Sequence, residues 1–444
     1  MPFPERLHAA LASALQRHAL PGQKLVLGLS GGIDSVAMLH ALQHPHFSGY
    51  ERSCVHVHHG LSPNADAWAD FCAQLCAGLQ VPLVIQRVTV NRHDSAGIEG
   101  AARTARRQVF EQLDAEFVLT AHHQNDQAET LLLQLLRGAG PKGLAAMAEA
   151  QVHPDWQARQ LRPWLQVTRS QIEQYAQQHA LAWIDDESNH DHAYSRNYLR
   201  HALMPLLEKR FPATVPVLAR AATLQADALE ILGDMARSDA QDCLHSDHLD
   251  CTCLAQLSLP RARNLLRWFI EQHGCPMPSE RRLDEGLRQI MHAAPDAHVR
   301  VAIAPGFELR RYRGAAYLVP VRQCMQQTAV IWHGEPQLHL EQAQCHVLMT
   351  SLKGAGLSKT RLQHAHVEVG VRRGGERLRL SKNGPHRSLK NLLQEAHLPP
   401  WQRACVPLLW CDGELAWVSG IGFGADFLAS PEEAGIVPVK QCHQ

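Results

Sequence analysis

Lys24-Leu-Val-Leu-Gly-Leu29, Ser30-Gly31-Gly32-Ile33-Asp34-Ser35 and Val36-Ala-Met-Leu-His-Ala-Leu42 follow one another without a break, and their order decides the fold. The first run is short and apolar, as a strand buried on both faces of a parallel sheet must be. In the last, Val36, Met38, Leu39 and Leu42 predict a buried helix over 35–42. Between them, two adjacent glycines let backbone N–H groups close on an anion, and the helix N-terminus adds partial positive charge. The hydroxyls of Ser30 and Ser35 add donors. Asp34 is unfavourable in such a place unless it holds a divalent cation bridging phosphate oxygens. No Gly-Lys-Ser/Thr follows, so this is not a Walker loop. An ordinary strand-to-helix turn is the plain alternative, but the buried strand before it and the Asp-Ser pair after it favour a nucleotide site.

Outward from this loop the alternation continues. Strands are predicted at 53–58, 82–88 and 116–120. Helices are predicted at 64–79, at 98–113 (rich in Arg) and at 126–136. Strand alternating with helix over roughly 120 residues implies an α/β domain with an open parallel sheet and right-handed crossovers. Ligands of such sheets sit beyond the carboxyl ends of the strands. A Thr168-x-x-Gln171 capping box opens a helix reaching to about 180, and 194–210 reads as another. Residues 213–293 show helical spacing, 299–321 read as a β-hairpin, and 323–344 read as a polar linker. The remainder mixes short strands with one helix near 388–396. Three domains are therefore predicted: an α/β nucleotide-binding domain at 1–212, a mainly helical middle domain with a terminal hairpin at 213–325, and a small basic α/β domain at 345–444.

Bulk properties agree. A chain of 444 residues exceeds one ordinary core. Apolar residues at 45% and charged residues at 19% are ordinary for a globular protein. No apolar run approaches the roughly 18 residues of a membrane helix. Residues 1–20 carry Leu7, Leu11, Ala14, Leu15 and His18 at helical spacing and lack the pattern of a secretory leader, so a cytoplasmic location is expected. The twelve cysteines should then be mostly free thiols, with no disulfide-dependent fold. Cys72 and Cys76, one helical turn apart, read as core rather than metal ligands, and Cys251 and Cys253 lack a second pair for zinc. Formal net charge is zero, yet Arg372 to Lys390 holds seven basic residues against the single acid Glu376, a local net charge of +6. Such a segment in a neutral protein predicts a phosphate-rich partner.

Two further clusters follow predicted strands. In His56-Val57-His58-His59, alternation puts His56 and His58 on one face, which favours hydrogen bonding to the nucleotide or loop support over metal binding. Arg103 and Arg106 share a helical face, a solvated surface being the alternative. In His122-His123-Gln124-Asn125-Asp126-Gln127-Ala128-Glu129, the intervals of three put His123, Asp126 and Glu129 on one face at a helix start. Carboxylates there can bind magnesium or orient a cationic amine, or merely cap the helix.

Ser30-Gly31-Gly32-x-Asp34-Ser35 resembles the signature of the ATP-pyrophosphatase loop (PP-loop) superfamily, which leaves several enzymes open, tRNA thiolases and amidating synthetases among them. Thiolase chemistry needs paired reactive cysteines or an iron–sulfur site, and no Cys-x-x-Cys occurs. A non-catalytic RNA binder would have no need of Asp34, Asp126 and Glu129 together. Further segments narrow the choice: Arg137-Gly-Ala-Gly140, Asp185-Asp-Glu-Ser-Asn189, Tyr194-Ser-Arg196-Asn197-Tyr-Leu-Arg200, Lys390-Asn-Leu-Leu-Gln-Glu395, Pro399-Pro400-Trp401-Gln-Arg403 and Pro407-Leu-Leu. With the clusters above they resemble the tRNA(Ile)-lysidine synthetase family, densely over the first 210 residues or so and more thinly through the middle.

That resemblance implies a reaction. ATP adenylates the C2 carbonyl oxygen of the wobble cytidine in the isoleucine tRNA with a CAU anticodon. The side-chain amine of free L-lysine then displaces AMP, giving lysidine and changing the codon read from AUG to AUA. It implies that Ser30, Gly31, Gly32, Ile33, Asp34 and Ser35 hold ATP, with Asp34 and Asp126 on Mg2+. Asp126, Glu129 and His123 would serve the adenylation and lysine site, Arg103 and Arg106 would face tRNA or phosphate, and Arg196 and Asn197 would close the site. The family often carries two acids where this chain has Asn125-Asp126, so Asp126 must carry that charge. Arg372, Arg373, Arg379 and Lys390 are expected to contact tRNA phosphates, and Trp401, Trp410 and Trp417 to be core residues. Oligomeric state is not legible, and a homodimer is kept as an option.

Overall fold

The computed structural model describes residues 3–91, 94, 97–187, 191, 194–294, 297, 299–321, 329–343 and 345–442. Ser188 and Asn189 of the segments singled out above lie outside that set, as do 323–328 and 344 of the expected linker. The chain divides into two compact units, Met1–Met235 and Ala236–Gln444.

The first unit opens with α1 (Phe3–His18), β1 (Lys24–Gly28), α2 (Ile33–Ala41), β2 (Glu51–His58), α3 (Ala65–Gly78), β3 (Leu83–Arg87), α4 (Gly97–Glu111), β4 (Phe117–Leu119) and α5 (Gln124–Leu136). It continues through α6 (Pro141–Leu144), β5 (Ala150–Gln151), β6 (Arg159–Leu161), α7 (Arg169–Gln178), α8 (Ser195–Tyr198), a π-helical turn Leu199–Leu203 and α9 (Met204–Arg210). The six strands run in the order β3-β2-β1-β4-β6-β5, parallel except for β5 against β6. Alternation along β1 fills two cores. Leu25, Leu27 and Leu29 pack with α1, α2 and α7 through Leu11, Met38 and Ile172. Val26 turns to the other face and meets Val109, Phe110 and Val118. The chain leaves β1 toward β2 on one side and returns at β4 on the other, so a crevice opens between the carboxyl ends of β1 and β4. The predicted α/β domain is therefore present. β6 was not predicted because its Arg159-Gln160-Leu161 carries no apolar run; Gln160 is buried by bonding Thr120 Oγ1 at 3.1 Å.

The unit boundary falls within α10 (Thr214–Cys243). In the second unit, Leu244–His245 and His248–Asp250 join Arg300–Ala304, Phe307–Tyr312 and Ala315–Pro320 in a five-stranded antiparallel sheet. Helices Leu259–Gln272 and Glu280–His292 pack against it through Leu265, Phe269, Leu287 and Ile290. So 213–293 is not purely helical, and 299–321 is a three-stranded meander rather than a hairpin, turning at Gly306 and Gly314, both at positive φ. A second β-rich core holds Val347, Val369, Leu409 and Trp417. Val330–Ile331 and Gln337–Leu340 are strands of its sheets, where a linker was expected. Trp410 and Trp417 are buried as predicted, while Trp401 is half-buried, edge-on to Tyr312 and Tyr317. Cys243 and Cys253 form a disulfide, a pair not singled out among cysteines expected to be mostly free; eight others among the described residues are free thiols. Cys54, Cys72, Cys76 and Cys251 are buried free thiols. Among the described residues, no helix is long and apolar enough to cross a membrane.

Candidate active site

The glycine loop is shaped by its neighbours. Gly31 sits at φ +88°, where only glycine is comfortable, and a Cβ there would collide with the Ile184 side chain. Ile184 N–H donates to the Gly31 carbonyl at 2.9 Å. Ser35 Oγ donates to the Gly32 carbonyl at 2.9 Å and lies 3.1 Å from Ser30 Oγ. Gly32 is the N-cap of α2 and offers no capping side chain, so the first-turn amides are left for an anion. Behind the loop, buried His56 donates from Nδ1 to the Leu29 carbonyl at 2.9 Å, the loop-supporting role considered for it.

Asp34, in the first turn of α2, faces the Arg169 guanidinium and the His123 ring, both from distant elements. Arg169 Nη1, at the start of α7, donates to Oδ2 at 3.2 Å. His123 Nε2 stands 3.7 Å from Oδ1, too far for a hydrogen bond, and Oδ1 is buried without a hydrogen-bond partner. Burial pushes the Asp34 pKa up, against the opposing pull of His123 and Arg169. A buried, unpartnered carboxylate oxygen beside an anion loop suits a cation whose remaining ligands come from phosphate and water.

Asp126 and Glu129 are buried in the first turns of α5. Asp126 Oδ2 accepts the His123 backbone N–H at 3.0 Å, and Oδ1 accepts from Arg196 Nη2 at 3.0 Å and Arg200 Nη2 at 3.1 Å. Glu129 accepts from Arg196 Nε at 2.8 Å and from Arg200 Nε and Nη2 at 2.7 and 3.0 Å. Burial alone would raise the Asp126 pKa, but His123, Arg196 and Arg200 hold it well below the usual carboxylate range. Both Asp126 oxygens are thus committed, whereas Asp34 keeps one free. Among the described residues, no group of three or more His, Cys, Asp or Glu is arranged to hold a metal. Were a magnesium ion bound here, Asp34 would hold it through Oδ1, and Asp126, whose oxygens are already hydrogen-bonded, would join it only by giving up a partner.

A cleft of about 1120 Å³ opens above these groups, and Ser30, Asp34, Ser35, Arg103, Arg106, Asp126 and Asn197 line it. Gly31, Gly32 and Ile33 shape the loop behind that lining; His123, Glu129 and Arg196 form the layer beneath. Arg103 and Arg106 are exposed on α4. Burial drives the His122 pKa down to about 3 and that of His59 to about 4, so both line the cleft as neutral rings near pH 7. Three cations escaped the sequence reading: Arg169, Arg200 and Arg162. Arg162 is buried on the floor, donating to the Ala148 carbonyl at 2.8 Å and Gln151 Oε1 at 2.9 Å. Arg200 had a signal, since it closes the quoted 194–200 run one helical turn beyond Arg196; Arg169 and Arg162 had none without the fold.

The basic segment belongs to the second unit. Arg372 donates to Glu376 at 3.4 Å, Arg373 pairs with Glu368 and lies 4.4 Å over the Trp410 ring, and Arg379 pairs with Asp426. Lys390 is exposed. Glu368 and Asp426 come from outside the segment, so its linear charge of +6 is partly offset. A cavity of about 460 Å³ is lined by Arg373, Arg377, Arg379, His386 and Trp410.

Comparison with known proteins gives these features a common origin. A PP-loop domain model matches 5–207, a TilS substrate binding domain 249–317 and a TilS substrate C-terminal domain 367–439. The tRNA(Ile)-lysidine synthase of Nitrosomonas europaea is 41% identical over 426 residues, 95% of this chain and 93% of that one. That of Aromatoleum aromaticum is 42% identical, covering 95% and 98%. Among solved structures, the U34-tRNA thiolase NcsA of Methanococcus maripaludis aligns with 50% of this chain and 78% of its own at 17% identity and a TM-score of 0.44. At about 40% identity over nearly the full length of its relatives, the chain belongs to the tRNA(Ile)-lysidine synthase family.

Proposed function

We propose that the chain joins free L-lysine to C2 of the wobble cytidine in the CAU anticodon of tRNA(Ile), with ATP cleaved to AMP and pyrophosphate. The observation that carries this reading is one cleft that holds an uncapped glycine loop, a carboxylate with a free buried oxygen and a buried acid pair. In the first step the cytidine O2 bonds the α-phosphorus and pyrophosphate leaves. In the second, the lysine amine bonds C2, the C2–O bond breaks with AMP leaving, and the amine loses a proton.

The loop amides and the Ser30 and Ser35 hydroxyls hold the phosphates. Asp34 holds Mg2+, which on binding neutralises charge on the phosphates. Asp126 and Glu129 receive the lysine ammonium, and His123, set between Asp34 and Asp126, takes up the proton. Arg103 and Arg106 flank the anticodon phosphates, while Arg196 and Asn197 close the cleft. A single cytosine is within reach because anticodon-loop bases unstack at low cost. The division 1–212, 213–325 and 345–444 is the working one, with Arg372, Arg373, Arg379 and Lys390 on tRNA phosphates.

The test is a product assay. AMP and pyrophosphate should form, and label from lysine should enter the tRNA, only when ATP, lysine and the CAU-anticodon tRNA(Ile) are all present. Lysine label absent from that tRNA would remove the lysidine reading.

A further inference from the structure

The four-membered network beneath the cleft is electrically closed. Asp126 and Glu129 supply two negative charges, and Arg196 and Arg200 supply two positive ones. The Glu129 side chain is 2% exposed, and each of its oxygens already accepts at least one charge-assisted bond. An ammonium approaching this arrangement meets no net negative charge and no open carboxylate oxygen on Glu129. Binding a cation there requires that one guanidinium leave, because a buried pair of acids cannot satisfy three cations at once.

Which guanidinium leaves is set by the backbone. Arg196 lies on the regular turn of α8, whereas Arg200 lies in the π-helical turn Leu199–Leu203. A π turn closes its backbone hydrogen bonds one residue further along the chain than an α-helix does, and such turns are frequent at functional sites. Arg200 is also slightly more exposed, at 29% against 23% for Arg196. We infer that Arg200 is a built-in occupant of the amine subsite: its guanidinium fills the space between Asp126 and Glu129 that the incoming ammonium needs, and swings out as the amine enters. The inference rests on the reading that these two acids receive lysine. It makes Arg200 a positioning residue that keeps the acid pair neutralised and dry until the amine arrives, at a cost in lysine affinity.

The experiment measures KM for lysine and for ATP, with CAU-anticodon tRNA(Ile) saturating, in the full chain and in Arg200→Gln, Arg200→Lys and Glu129→Gln. With Arg200→Gln the acid pair keeps one negative charge, so the ratio of lysine KM to ATP KM should fall by about tenfold, and by less in Arg200→Lys, which keeps the charge without the planar fork. A rise in that ratio, or no change, overturns the inference. If Arg200→Gln does not fold, Arg200→Lys decides alone by the same criterion. Glu129→Gln separates the two levels. A raised lysine KM there upholds the acid pair as the amine site whatever Arg200 does; an unchanged one removes that site, and the occupant with it.

Discussion

Arginine meets carboxylate in two places in this molecule, and the two differ in almost everything except chemistry. In the first unit, Arg196 and Arg200 close on Glu129, whose side chain is 2% exposed. In the second, Arg379 at 29% meets Asp426 at 35%, and Arg373 at 47% meets Glu368 at 27%. Water screens the latter pairs, so each is weak and a phosphate can replace the acid at small cost. The former are desolvated, and removing one member strands a buried charge. The same residue types therefore make a desolvated, charge-balanced floor in one unit and a solvent-screened basic surface in the other. Burial decides between them.

The largest expected effect tests the floor. Asp34→Ala removes the one carboxylate oxygen left free for a cation, and turnover should fall by roughly a thousandfold or more, as when a group stabilising transition-state charge is lost. tRNA affinity, measured by filter binding, should stay within about twofold, since the arginines proposed to contact tRNA phosphates are other residues. A comparable loss of tRNA affinity would break the separation between a catalytic floor and a binding surface.

Next in size is the contrast itself. Glu129→Gln leaves two guanidinium groups sharing Asp126 as their one acid in a buried layer and should destabilise the first unit by about 3 kcal/mol. Asp426→Asn, on the exposed side, should leave the urea midpoint essentially unchanged. Similar shifts for the two substitutions would show that burial is not what distinguishes the regions.

The sequence made some of this legible and hid the rest for definite reasons. Lys24 to Leu42 has the strand–glycine–helix signature in contiguous residues, so the loop, the sheet and its ligand edge could all be read. His123, Asp126 and Glu129 were readable as one face because their spacing is helical, although only the fold shows that Asp126 reaches the cleft lining while His123 and Glu129 do not. Arg169 meets Asp34 across 135 residues, and no local pattern announces such a pair. β6 was invisible because it is three residues long and one of its two buried positions, Gln160, is held by hydrogen bonds, leaving Leu161 as its single apolar core residue. The charge of +6 counts only the segment itself: Glu368 lies just ahead of it in the chain and Asp426 is brought to it from 47 residues beyond Arg379, and each offsets one arginine. Conversely, the Cys243–Cys253 link escaped because its meaning depends on the end of α10 meeting the following helix.

The smallest expected effect sharpens the exposed side of the comparison. If Arg372, Arg373 and Arg379 each give up an acid for a tRNA phosphate, replacing all three by Gln should make the slope of log K against log salt shallower by about 2 to 3, at roughly 0.7 to 0.9 per phosphate. Affinity should fall further than the slope alone requires, because Glu368, Glu376 and Asp426 are then left facing the tRNA without neutralising partners. Asp426→Asn provides the opposite arm: it frees Arg379 and should tighten binding at low salt. An unchanged slope in the triple variant, with an unchanged affinity in Asp426→Asn, would mean that these arginines serve the fold of the second unit, and that exposure alone does not make an ion pair exchangeable.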